Sequence, residues 1–114
     1  MYAGGINLGC GLDWIVDLWI AQEVVRKIQV GFSVHDDKRL MQCLDAVWNS
    51  PDRVANLTDA TTEEISRLRD AANTALAETE VDGAKDWFQP STFPSYLANF
   101  QELVRVIAAD PRAR

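Results

Sequence analysis

This chain is short of the residues on which metal binding and catalysis most often rest, and each shortage closes off a class of function. It has two cysteines, Cys10 and Cys43, in 114 residues. Two thiols do not make a disulfide framework; they read as small apolar residues of a reducing compartment, hence a cytoplasmic protein. A single Cys10–Cys43 bridge is the alternative. The one histidine, His35, stands beside Asp36 and Asp37 with no second histidine or nucleophile near it. Ser33-x-x-Asp36 reads there as a helix start instead of a metal or acid–base site. Positive charge is scarce too: the net charge of −6 argues against direct contact with nucleic acid or a membrane surface. Long apolar runs are missing. The most apolar window, 13–30, is interrupted by Asp13, Asp17, Glu23, Arg26 and Lys27, so no membrane span is expected. The first residues lack the basic stretch of a secretion signal. No internal repeat, no low-complexity tract and no strand pattern longer than a few residues stands out.

What is present reads as helix. A chain of this length makes one domain with a core of its own. Its glycine-rich start (Gly4, Gly5, Gly9, Gly11) is expected to be an irregular arm over 1–12, followed by a helical domain over 13–110 and a tail at 111–114. Asp13 and Gly31 bracket a first helix. A second covers about 37–49, with Leu40, Cys43, Leu44, Val47 and Trp48 on one stripe. Ser50-Pro51-Asp52 has the form of a helix restart, giving a short helix to about Leu57. Thr61-x-x-Glu64 is a capping box that opens a third long helix, with Ile65, Leu68, Ala72, Ala75 and Leu76 inward and Gly83 at its end. Pro94 starts a fourth, with Tyr96, Leu97, Phe100, Leu103, Val104 and Ile107 inward, stopped at Asp110-Pro111. The expected fold is therefore all-α, a small helical bundle of four main helices plus one short one.

Two motif resemblances fail on their own requirements. Gly4-Gly5-x-x-x-Gly9-x-Gly11 lacks the preceding strand and the Lys and Ser/Thr of a phosphate-cradling loop. Glu78-x-Glu80-x-Asp82-Gly83-x-x-Asp86 alternates oxygen donors like a calcium loop, but its twelfth position is Gln89 and Pro90 follows. No cofactor and no metal is expected.

Three features point to binding. Within 13–30, most apolar residues form one stripe, but Ile15, Val16 and Trp19 fall among polar residues on the other side. A helix with two apolar patches is contacted from two directions, which makes Ile15 and Trp19 candidate partner contacts. Asp17 falls inside the main stripe and is expected to be a buried, paired charge. Residues 59–86 hold eight acids against three bases, so nearly all the excess charge lies on one quarter of the chain. Glu63, Glu64, Glu78 and Glu80 there are candidates for steering a basic partner, and Trp87 and Phe88 in the aromatic stretch 84–94 are candidate anchors. The expectation is a small acidic, non-catalytic protein, of inhibitor or immunity type, that covers a basic protein acting on nucleic acid. The alternative is an adaptor subunit that forms a homodimer through the first helix.

Overall fold

Residues 3–17 form a β-hairpin, which overturns both the all-α helical bundle and the irregular arm. The structure, a computed structural model, describes residues 2–33, 35–85 and 87–113. Strand β1 (Ala3–Gly9) pairs antiparallel with β2 (Leu12–Asp17), with Ile6 opposite Trp14 and Gly5 opposite Ile15. Gly9, Cys10 and Gly11 turn the chain, all at positive φ (85°, 54° and 79°), a region that glycine enters without steric cost. After helix α1 (Leu18–Gln29), α2 (Lys38–Leu44) and the single turn α3 (Ala46–Asn49), β3 (Val54–Asn56) adds parallel to β1. The sheet order is β2-β1-β3. Helices α4 (Thr62–Asp82) and α5 (Phe93–Ala108) complete the molecule.

The hairpin explains the misfit read at 13–30. A strand alternates its side chains with period two, whereas a helix repeats every 3.6 residues. Trp14 is buried, Ile15 exposed, Val16 half-buried and Asp17 exposed, which is the alternation of a strand with one face on the core. Asp17 thus points outward and is not the buried charge expected. Helix α1 begins only at Leu18, whose N–H donates to the Tyr2 carbonyl (2.9 Å), and it buries Ile20, Ala21, Val24, Val25 and Ile28.

The short helix expected after Pro51 is also absent. Ser50 closes α3, and Asp52 Oδ1 accepts from Ser50 Oγ (2.8 Å) and from Val54 N–H (3.1 Å). That side-chain turn, with Arg53 at φ 57°, swings the chain into β3. The expected 37–49 helix is broken at Asp45, whose Oδ1 accepts from Gln29 Nε2 (2.9 Å), and Trp48 lies at the surface.

Helices α4 and α5 follow their sequence signals. Thr61 and Glu64 make the reciprocal capping box, and Gly83 caps the far end of α4. Ile65, Leu68, Ala72 and Ala75 face Tyr96, Phe100, Leu103 and Ile107 across one core, with Ile6, Leu8, Trp14 and Ala55 of the sheet beneath. Leu76, Leu97 and Val104 pack at its margin. Trp14 Nε1 donates to the Asn99 carbonyl (2.8 Å) and so fixes β2 against α5. Among the described residues, no helix is long and apolar enough to cross a membrane.

Both cysteines are free; Cys10 is exposed at the hairpin turn and Cys43 half-buried, which rules out the bridge. The buried charges lie elsewhere. Asp37 accepts from Ser33 N–H (2.7 Å) and from the Arg67 guanidinium, through Nε and Nη2. Asp110 pairs with Arg112, which also donates to the carbonyls of Leu8 (2.7 Å), Leu57 (3.0 Å), Thr58 (3.3 Å) and Ala60 (2.8 Å). Arg69 of α4 donates to the Ala113 carbonyl. Residues 111–113, expected as a tail, are thereby docked as a 3-10 turn.

Candidate functional site: an aromatic cleft beside α1

Once α1 starts at Leu18, Trp19, Glu23 and Arg26 lie four and then three residues apart and share one face. That face looks onto the loop between α4 and α5. Together with Trp87, Phe88 and Gln89 it encloses a cleft of about 560 Å³, with Thr92 at its end. The volume is within the usual range of small-ligand pockets.

Tyr96, in the first part of α5, is buried behind the two tryptophans that line the cleft. Trp19 stacks on it (ring centroids 6.5 Å apart, planes 20° apart), and Trp87 packs closer at 4.5 Å. Phe93 meets Trp87 edge-on at 5.5 Å. The loop is held by its own polar groups. Trp87 Nε1 donates to Thr92 Oγ1 (2.9 Å), and that hydroxyl donates to the Gln89 carbonyl (2.7 Å). Phe88, next to that indole, is turned away from the core. It stands 93% exposed at the cleft, facing solvent beside a Trp19 that is 41% exposed. Large apolar side chains exposed together in this way commonly mark a contact surface.

The electrostatics of the cleft centre on one ion pair. Arg26 Nη2 donates to Glu23 Oε2 (2.5 Å), which raises the pKa of Arg26 further above its ordinary value. The Tyr96 phenol is pushed up to about 12, first by burial and then by the Glu23 carboxylate, with Arg26 acting in the opposite sense. Chemically, the site offers aromatic faces for stacking and a carboxylate with one oxygen engaged.

Of the residues singled out in the sequence, Trp19, Trp87 and Phe88 come together here. Ile15 does not: it lies 49% exposed on the outer face of the sheet, with Asp13 and Asp17 on either side in β2. The acids divide between the two ends of α4. Glu63 and Glu64 sit in its first turn, and Glu64 already accepts from Thr61 N–H (2.9 Å) and from Arg39 (3.2 Å). Glu78 and Glu80 are near the other end, where neighbouring Thr79 lies against Tyr96 and Glu80 accepts from Gln101 of α5 (3.3 Å). Glu78, Glu80 and Asp82 belong to the helix itself, so successive carboxylates project about 200° apart and do not curl round one point. Asp86 of that motif lies outside the described residues. The described residues contain no group of three His, Cys, Asp or Glu placed to hold a metal. His35 and Asp36 are exposed; Ser33 Oγ accepts from Asp36 N–H (3.3 Å), and buried Asp37 stands at the N-terminus of α2 without a side-chain cap bond, its carboxylate turned instead to Ser33 N–H and Arg67.

Sequence reasoning missed Glu23 and Arg26 as parts of the cleft, and placed Tyr96 inward, where it lies. The available signal was the 19/23/26 spacing, hidden as long as the helix was started at Asp13. No family model, curated protein or solved structure matches the chain.

Proposed function

We propose that this is a small acidic binding protein, non-catalytic and cytoplasmic, that docks on a basic protein partner through the aromatic cleft. It acts by covering the surface it occupies, as an inhibitor of a protein that itself acts on nucleic acid. The observation that carries the reading is the pairing of exposed Phe88 and Trp19 on one concavity in a molecule of net charge −6. Aromatic anchors in a pocket supply most of the energy of a typical interface, while charge of one sign raises the rate of encounter with the opposite sign.

Affinity capture from the native cells, with the bound protein identified and retention compared for wild type, Phe88→Ala and Trp19→Ala, tests it. The expected result is one basic protein, retained by wild type and lost from both variants, each losing about 2 kcal/mol or more of binding as a hot spot does. Recovery of the chain alone as a salt-resistant dimer would sink the proposal, as would a partner that Phe88→Ala holds equally well.

A further inference from the structure

We propose that the cleft is a receptor for a single arginine side chain of the partner. This rests on the binding reading above and names its ligand chemistry. Three observations support it. The cleft is lined by Trp19, Trp87 and Phe88, and aromatic rings attract cations through the negative end of the ring quadrupole. A carboxylate stands among them: Glu23 Oε2 is bonded to Arg26, while Oε1 accepts no hydrogen bond among the described residues. Finally, the excess negative charge of the whole chain favours a cationic occupant over an anionic one.

Arg26 at first sight argues the other way, since a cation entering the cleft meets a cation already there. Its geometry removes the objection. The Arg26 side chain is 67% exposed and is held by an i,i+3 pair with Glu23. Such surface pairs are weak and readily exchanged. An incoming guanidinium therefore takes the place of Arg26 on Glu23, and Arg26 swings into solvent. Arginine suits the site better than lysine, because a planar guanidinium stacks on an indole face while donating in its own plane to a carboxylate.

The exchange predicts an unusual sign: removing a positive charge from the wall should tighten binding of a positive ligand, and removing Trp19 or Glu23 should weaken it. The test is an NMR titration of the isolated protein, following the four tryptophan indole N–H signals. The probes are acetyl-Gly-Arg-Gly-amide and the same peptide with norleucine or glutamate in the middle. Trp14, whose indole is bonded to Asn99, serves as the internal reference. The arginine peptide should move the Trp19 and Trp87 signals, not that of Trp14, and bind about fivefold tighter than the norleucine peptide, as a modest cation–π contact would give. Arg26→Gln should tighten it about twofold, Glu23→Gln should weaken it severalfold, and Trp19→Ala should abolish it.

Equal binding of the norleucine peptide overturns the inference in favour of a plain apolar pocket. Preference for the glutamate peptide, or loss of arginine binding in Arg26→Gln, overturns it in favour of an anion site. No response to any peptide overturns it as well. If the cellular partner is still held through Phe88 in those cases, only the ligand assignment has failed. If wild type captures no partner, the binding reading itself has failed.

Discussion

Arg112 engages four backbone carbonyls and one carboxylate with a single guanidinium, joining the ends of β1 and β3 to the last turn of the chain. Its partner Asp110 is buried, so removing the cation strands a charge in the core. Arg112→Ala should destabilise the fold by about 3–5 kcal/mol, the usual cost of breaking a buried pair from one side. Arg105→Ala, which removes an exposed i,i+3 pair with Glu102, should cost under about 0.5 kcal/mol. Urea unfolding of both variants decides the comparison. Hydrogen bonds from Arg112 and Arg67 hold the Asp110 and Asp37 carboxyls below their ordinary value of 3.8, with burial opposing the shift. Because the native pKa is lowered, their contribution is complete above about pH 4 and is lost as pH falls from there through the native values. Wild type should weaken steeply below that point, and Asp110→Asn should flatten the decline. Tyr96 acts at the other end of the scale. Burial raises its value to about 12 by penalising the tyrosinate, so stability is undiminished below about pH 10 and falls as pH rises from there through 12. Tyr96→Phe should remove that alkaline limb in an unfolding series followed by circular dichroism.

Among the elements, the hairpin is the least forgiving. A methyl group on Gly5 would sit 1.8 Å from the Trp14 carbonyl oxygen, a backbone atom that cannot move aside without parting the strands. Gly5→Ala should therefore cost at least the 1–3 kcal/mol typical of overpacking and shift the hairpin's amide signals. Thr61→Ala, which removes one half of the α4 capping box, should cost only about 1 kcal/mol. The two elements also differ in how openly the sequence declares them. Helix α4 is announced by Thr61, Glu64 and Gly83 and by a stripe with one period throughout. The hairpin is announced only by Ile6 and Leu8, then Trp14 and Val16, on alternate positions, with the glycine turn between them. Its second strand runs without a break into α1, so a window laid across 13–30 mixes two periods and resembles a two-faced helix. The expected burial of Asp17 fell with that merger. Of the cleft aromatics, Trp19 was legible because it falls off the main apolar stripe and Trp87 and Phe88 because they share an aromatic loop; exposure itself was not, since Trp48, read as inward, lies at the surface. Glu23 and Arg26 were not, because their facing depends on where the helix begins.

At the scale of the whole molecule, the net charge of −6 sets the sign of the partner it attracts, and the positions of the acids set where that attraction acts. Glu63 and Glu78 are separated by roughly 22 Å along α4 at 1.5 Å per residue. That exceeds the Debye length of about 8 Å at physiological salt, so the two ends of the helix do not act as one field. Thr79, between Glu78 and Glu80, lies against Tyr96, whereas Glu63 and Glu64 sit at the opposite end of α4. Glu78→Gln with Glu80→Gln should slow association with a basic partner and reduce its salt dependence. Glu63→Gln with Glu64→Gln should leave both nearly unchanged, since glutamine preserves the capping box. Stopped-flow association at two salt concentrations separates the pairs; equal effects would mean that the acids act through total charge alone.

The bond from Arg112 to the Leu8 carbonyl joins residues 104 positions apart in the chain. On a ribosome that adds about 5–20 residues per second, the hairpin emerges on the order of ten seconds before the arginine that fastens it. Through that interval the carbonyls at the exits of β1 and β3 face water or a chaperone, and the sheet exists only provisionally. A pause in translation between the codons of Leu57 and Arg112 would lengthen this exposure in a way that the finished fold does not reveal.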